Sequence, residues 1–296
     1  MMRINIGQRL GLLLARFSLL AALLLGYLTY TAARDMLVER AQRTLLDTTR
    51  ILSSHLQAGF GQLGRDATML AMLAGGLPLP GGPVPTAAQA QSLETLAQMF
   101  RAQLLARPGL LQVQLIGLRD HGLELVHLQR LADERIVRVV GAALQEKAHF
   151  PYVYETARLT SGGVYFTEFG INREDGVPQE ERAVFSVAAP VVQGTAVVAV
   201  VVLRVDAEAF LRHFGATLPA PYGFYLASRW GDFLAHPERE KAFGFDRGQR
   251  VLVQEEFVAT AALLSGAERE LVVSHTESPG EAQIQAFVRV PFGARD

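Results

Sequence analysis

Among side chains able to do chemistry, histidine comes first, because imidazole is a common metal ligand and titrates near neutral pH. The seven histidines are His55, His121, His127, His149, His213, His236 and His275. None belongs to an H-E-x-x-H or closely spaced pair, so the pattern nominates no metal site. His236 precedes Pro237 and reads as a turn-stabilising residue, with a role in a second pocket as the alternative. Cysteine is absent, which excludes disulfides, thiolate zinc sites, thiol nucleophiles and a lipidated cysteine anchor. There is no G-x-S-x-G, phosphate loop or dinucleotide fingerprint, so no catalytic residue and no cofactor is expected. Acidic runs at Gln179 to Arg182 and Glu238 to Lys241 read as solvated faces. With 28 basic and 29 acidic residues, a net charge of −1 offers no field for nucleic acid.

The elements that position these residues start with one that avoids water. Half of the 296 residues are hydrophobic and only 19% are charged, more apolar than an ordinary soluble chain. The excess sits at Leu10 to Ala33, LGLLLARFSLLAALLLGYLTYTAA, about the ~20 residues that cross a bilayer as a helix. Arg16 lies near one end, where it could snorkel to the interface. Arg3, Arg9 and Arg16 precede or begin the span and the first acidic residue is Asp35, so the positive-inside rule keeps residues 1–9 cytoplasmic and exports residues 34–296. The remaining 25 basic and 29 acidic residues give the exported part a charge of −4. A cleaved signal peptide is the alternative reading of the same segment.

Beyond the span, Leu37, Ala41, Leu45, Leu52, Leu56, Leu63, Leu70 and Leu73 recur at roughly helical spacing. They predict a stalk helix that continues the span outward, with Gly59, Gly61 and Gly64 marking a kink. GGLPLPGGPVP, Gly75 to Pro85, ends it, and a second amphipathic helix runs from Thr86 to Ala106 before Pro108. The period then changes to short and alternating. LLQVQLIGL and LELVHL flank a turn at Asp120 to Gly122, and VFSVAAPVV and AVVAVVVL flank Gly194; both pairs read as hairpins. Phe210 to Phe214 reads as a helical connector, and YGFYLASRWGDFLAHPE as another strand, turn and strand. Gly122 and Gly231 are each followed by leucine at +3 and histidine at +5, which suggests two related α/β modules.

Read in order, LLQVQLIGLRDHGLELVHLQR, LQEKAHFPYVYETARL, GGVYFTEFGINREDG, VFSVAAPVV and VVAVVVLRVD resemble the membrane-distal module of double Cache sensor domains. GFYLASRWGDFLAHPEREKAFGFDRGQRV resembles their membrane-proximal module. The resemblance covers the chain from about Arg34 onward and implies an α/β (α+β) fold: a transmembrane helix running into a long helix that carries two PAS-like modules with antiparallel sheets. It places the distal module at residues 86–208 and the proximal one at 209–296, after a stalk and Gly/Pro loop at 34–85. Domains of this family feed histidine kinases, diguanylate cyclases or chemoreceptors, and receptors of this kind generally work as homodimers.

The same resemblance assigns ligand binding to the distal module, where Phe150, Tyr152, Tyr154, Tyr165, Phe166 and Phe169 supply aromatic walls around a concave site. Tyr152 and Tyr154 would be lid residues, Tyr165 and Thr167 wall residues, and Asp206 the carboxylate that amine-binding relatives point at a ligand amine. Phe150 stands where carboxylate-binding relatives carry a lid arginine, and Ser186 where they carry another. Without those forks a carboxylate ligand loses its bidentate partner, so a neutral, aromatic or amine ligand is favoured. Lys147, His149 and Asn172 are secondary candidates, with turn formation the competing role for Asn172. The implied function is a small-molecule-sensing input region, part of a longer receptor, with no catalysis of its own. The competing readings are an anchored envelope protein without a ligand and, more remotely, an exported enzyme.

Overall fold

In the computed structural model the described residues are 6–82, 84–171, 182–220, 222–276 and 282–291. Helix α1 runs from Ile6–Gly75 without interruption. Its first part is long and apolar enough to cross a membrane, and the most apolar window is wholly unburied. Further along, Leu56, Phe60, Leu63, Ala67, Leu70 and Ala74 repeat at steps of four and three and are all buried, one face of a 3.6-residue period. Leu73 lies one position off that seam and is exposed, and Leu37 is exposed as well.

The glycines expected to kink α1 lie in an unbroken helix, and one of them, Gly59, marks close packing. A methyl group on Gly59 would stand 3.1 Å from Phe214 Cζ and 3.2 Å from Phe210 Cζ, so the bare backbone there lets two rings approach. Phe60 beside it meets Phe166, Phe169, Phe185 and Phe210 at centroid distances of 5.0 to 6.1 Å, mostly edge-on. Helix α2, Ala87–Ala106, opens on a capping box in which the Thr86 N–H donates to Gln89 Oε1 and the Gln89 N–H donates to Thr86 Oγ1. The buried Asp66 carboxylate ties the two helices together by accepting from Gln103 Nε2 and pairing with Arg107 at the C-cap of α2.

Strands β1, Leu110–Gly117, β2, Glu124–Arg130, and β3, Ile136–Val139, are followed by a one-turn helix α3, Pro151–Tyr154. Then come β4, Tyr165–Phe166, β5, Gly170–Ile171, and the long pair β6, Ala183–Gln193, and β7, Ala196–Asp206. These seven strands form one antiparallel sheet in the order β3-β2-β1-β7-β6-β4, with β5 also on β6. Alternation sends Val113, Leu115, Val201 and Leu203 into the core shared with α1 and α2. Ile116, Ala188, Val200 and Val202 face the other way, into a separate small cluster with Tyr152 and Val153 of α3. The middle strands are therefore buried on both faces. The hairpins predicted around residues 120–122 and at Gly194 are β1–β2 and β6–β7.

Helix α4, Ala207–Gly215, covers the predicted connector. The later glycine hairpin is β8, Leu226–Ala227, paired with β9, Phe233–Ala235, and a separate pair joins β10, Glu270–Thr276, to β11, Ala282–Val288. By contact density the chain divides into residues 1–51 with 268–289, and residues 52–267 with 290–296. Within the first unit, Gln42 Nε2 donates to Ser274 Oγ at 2.8 Å and Arg50 bridges Asp47 and Glu270. The second unit contains the seven-stranded sheet and the site described next.

Candidate functional site

The sheet face turned away from α1 carries an unusual set of buried polar residues. Register places Gln112, Gln114 and Ile116 of β1 on this face, beside Arg204, Val202 and Val200 of β7, with His127 opposite Gln114 and Glu124 opposite Ile116 on β2. Ser186 of β6 lies beside Arg204. Gln114, Glu124, Arg204 and the overlying Lys147 and Thr156 are each no more than 2% exposed. Groups of these types stay buried only when paired or hydrogen-bonded.

Burial comes from the segment after β3, which folds back over the start of β2. The Glu124 N–H donates to Gln145 O, the Lys147 N–H to Gly122 O, and the Ala148 N–H to His121 O. Gly122 permits this approach: its φ is +74°, and a Cβ there would stand 2.6 Å from the Ala148 nitrogen. From this root the chain enters α3, where Phe150 and Tyr152 stack at 5.4 Å with their planes 13° apart. Lys147 Nζ lies 5.1 Å above the Phe150 ring.

Hydrogen bonds beneath this cover fix the polarity of the cluster. Glu124 Oε2 accepts from the Gln145 N–H at 3.0 Å and lies 3.2 Å from His127 Nδ1. Burial pushes the Glu124 carboxyl up, but the hydrogen bonds from His127 and the Gln145 N–H, with Lys147 nearby, together hold it below the ordinary carboxylate range. An ionised carboxylate only accepts, so His127 Nδ1 carries the proton. His127 Nε2 then accepts from Gln114 Nε2 at 3.5 Å, and Gln114 Nε2 also donates to Gln112 Oε1 at 3.2 Å. Three oxygens are left over. Gln114 Oε1 and Glu124 Oε1 have no hydrogen-bond partner among the described residues, and neither does Thr156 Oγ1. An unmet buried acceptor costs about 1–3 kcal/mol, more when charged.

The structure brings Phe150, Tyr152 and Tyr165 together on this face, in the cluster with Val153, and Lys147 over Phe150. Burial raises the Tyr165 hydroxyl pKa, and the nearby Glu155, Tyr154 and Glu168 raise it further. The Ser186 N–H donates to Thr167 Oγ1 at 2.8 Å, which fixes that hydroxyl on the strand edge. Tyr154 is exposed under Arg158, and His149 is exposed beside Phe150. Asp206 caps α4 by accepting the Ala209 N–H at 2.8 Å, with Arg182 at 3.9 Å. Asn172 lies outside the described residues. Gln112, Gln114, Glu124, Thr156 and Arg204 were not singled out from sequence, and His127 entered only among the histidines and at the end of the Gly122 repeat. Their one signal is polar residues at alternate positions of otherwise apolar strands, in LLQVQLIGL and VVVLRVD, a pattern that equally fits a solvated face.

His236 sits apart, in the β8–β9 region. Its Nδ1 accepts the Glu238 N–H at 2.9 Å, which closes the turn at Pro237, and its Nε2 donates to Glu256 Oε1 at 3.1 Å. Burial raises the Glu256 carboxyl, but hydrogen bonds from His236 and Lys241 outweigh it and hold the group low. The glycine, leucine and histidine spacing shared by Gly122 and Gly231 thus ends in each case on a histidine joined to a glutamate. Both glycines have positive φ, +74° and +89°. Among the described residues no cluster of three or more metal-ligating side chains occurs.

Neither a family model nor a curated protein matches the sequence. Solved structures do match the fold. An extracellular domain described as that of a histidine kinase, vpHK1S-Z8, aligns with TM-score 0.62 at 13% identity over 80% of this chain and 84% of its own. A domain of a sensory box/GGDEF family protein from Vibrio parahaemolyticus aligns with TM-score 0.62 at 13% identity over 85% and 97%. The ligand-binding domain of the Campylobacter jejuni chemoreceptor Tlp3, in complex with 4-methylisoleucine, aligns with TM-score 0.51 at 12% identity over 68% and 71%. The chain has the fold of receptor sensor domains, the architecture to which its motifs are similar, and the matched structures are sensor or ligand-binding domains rather than catalytic ones.

Proposed function

We propose that this chain is the small-molecule-sensing input region of a membrane receptor. The observation that carries the reading is the outer sheet face: polar side chains with unmet acceptors, buried under an aromatic cover, on a fold shared with sensor domains. A structural envelope protein would have no reason to retain unmet buried acceptors beneath this cover, because apolar residues of similar size would pack there at lower cost. Phe150, Tyr152 and Tyr165 are the aromatic contacts of this reading, and Lys147 and Ser186 its polar flank. The ligand is neutral, aromatic or amine rather than a simple carboxylate.

In this proposal residues 10–33 span the inner membrane with the N-terminus cytoplasmic, and residues 34–296 lie outside as the stalk helix and Gly/Pro loop at 34–85, the distal module at 86–208 and the proximal module at 209–296. The receptor works as a homodimer and feeds a kinase or cyclase output. Ligand binding shifts the population between two arrangements of the long helix, by no more than its differential affinity for them. The test is thermal unfolding of the full chain in detergent against a broad library of small metabolites. A specific ligand raises stability by about 2.7 kcal/mol at a hundredfold excess over its Kd. Tyr152→Ala should abolish that gain. Hits that survive Tyr152→Ala unchanged would place binding elsewhere, and a library without any hit counts for the envelope reading.

A further inference from the structure

The hydrogen bonds that Gln114 and Glu124 make in the outer-face cluster say what a ligand at these two residues must offer. Gln114 spends both amide hydrogens, on Gln112 Oε1 and His127 Nε2, and leaves its buried oxygen unpartnered. Glu124 uses Oε2 for Gln145 and His127 and leaves Oε1 unpartnered. Both atoms are acceptors, on neighbouring strands of one sheet face: Gln114 pairs with His127 and Glu124 with Ile116. Whatever satisfies them must bring hydrogens.

Charge narrows the choice. This face already holds two fully buried cations, Lys147 close enough to act on Glu124 and Arg204 beside Gln112, so an added cation would be repelled, while an added anion at this point would meet the two bare oxygens. An uncharged N–H edge avoids both costs and forms a charge-assisted bond to Glu124. Shape points the same way. The stacked pair Phe150 and Tyr152 lies in the cover over this face, which suits a planar group.

We infer that Gln114 Oε1 and Glu124 Oε1 form a ligand-recognition subsite for an uncharged, planar molecule that presents N–H donors, such as an amide, a lactam or an N-heteroaromatic edge. The assignment rests on the sensing function proposed above and adds residues to it that neither motif nor resemblance marks. It also separates Glu124 from Asp206, whose carboxylate is engaged at the N-terminus of α4.

The experiment uses the full chain in detergent and probes matched in shape but not in charge. Benzamide, nicotinamide and uracil are the uncharged donors. Benzylamine is the cation, benzoate and nicotinate are the anions, and methyl benzoate, with neither an N–H nor an O–H, should not bind. Binding is read by calorimetry and by the shift of the unfolding midpoint at millimolar concentration. At least one uncharged donor should bind, more than tenfold tighter than its charged counterpart. Glu124→Gln, which puts an amide N–H₂ where Oε1 stood, should weaken it at least tenfold, and Gln114→Leu should do the same. Glu94→Gln, at an exposed ion pair with Arg138, should leave it within threefold. Should Glu124→Gln fail to fold, Gln114→Leu carries the test alone.

Preference for benzylamine, benzoate or nicotinate overturns the donor assignment, as does a bound donor indifferent to both Glu124→Gln and Gln114→Leu. Silence from all three uncharged donors overturns it too. In each case a ligand from the wider library that still depends on Tyr152 leaves the sensing function standing, so the two failures are distinct.

Discussion

Replacing Gly59 of α1 with alanine tests whether this glycine serves packing. An exposed helical glycine replaced by alanine gains roughly 1 kcal/mol in propensity. At Gly59 the new methyl would stand 3.1 Å from Phe214 Cζ and 3.2 and 3.4 Å from Phe210 ring atoms, and Phe210 is itself held by Phe60, Phe185 and Phe214. Rings packed on several sides give way only by shifting their neighbours, and overpacking of this kind costs about 1–3 kcal/mol. The net result for Gly59→Ala lies between neutral and a loss of about 2 kcal/mol. At Gly61, two residues on, the methyl meets only the flexible end of Arg65, at 3.3 Å, so Gly61→Ala should realise the propensity gain. The two variants should therefore differ by roughly 1–3 kcal/mol. For a unit of this size that is about 2–12 °C in midpoint, Gly61→Ala the higher, measured by circular dichroism of the full chain in detergent. If Gly59→Ala raises the midpoint as much as Gly61→Ala does, ring packing is not what requires a glycine at this position.

Truncating Phe60, the hub of four rings, to alanine should cost about 3–5 kcal/mol, seen as a lowered urea midpoint; a loss under 1 kcal/mol would show the cluster to be loosely packed. Thr86→Ala removes one arm of the capping box on α2 and should cost about 1 kcal/mol in the same assay, with a Thr86→Ser control near wild type. The Glu124 carboxyl is held low in the folded state, so its contribution to stability is complete above the unfolded value of about 4.3 and is lost as pH falls through the folded pKa. Midpoints should therefore decline from pH 5 to pH 3, and Glu124→Gln should flatten part of that decline; a variant curve parallel to wild type would count against the assigned network.

Legibility in the sequence followed the range of the interaction. Hydrophobic period alone located α1 and α2, the β1–β2 and β6–β7 hairpins and the α4 connector, because each depends on residues within a few positions. Strand β3, the short strands β4 and β5 and the pair β10–β11 were not anticipated, since two to seven residues of mixed polarity hold their place only through partners elsewhere in the chain. The glycines of α1 show the limit from the other side. A glycine in a helix signals weakness locally, and only the rings brought in from Phe210 and Phe214 turn Gly59 into a packing site.

The outer-face site divides along the same line. The aromatic residues Phe150, Tyr152 and Tyr165 were accessible from residue type and from the family resemblance, and the structure gathers them on one face. The polar residues beneath them were not, because Gln112 and Gln114 alternate with apolar neighbours just as a solvated strand would. What buries them is residues 145–154, which reach back over β2 through the backbone bonds at His121, Gly122 and Glu124. The sequence by itself determined the apolar span, the long helix and the strand pattern, since hydrophobic period and turn chemistry are local. Tertiary structure alone decided which polar atoms lose their water, because burial depends on what folds across a face.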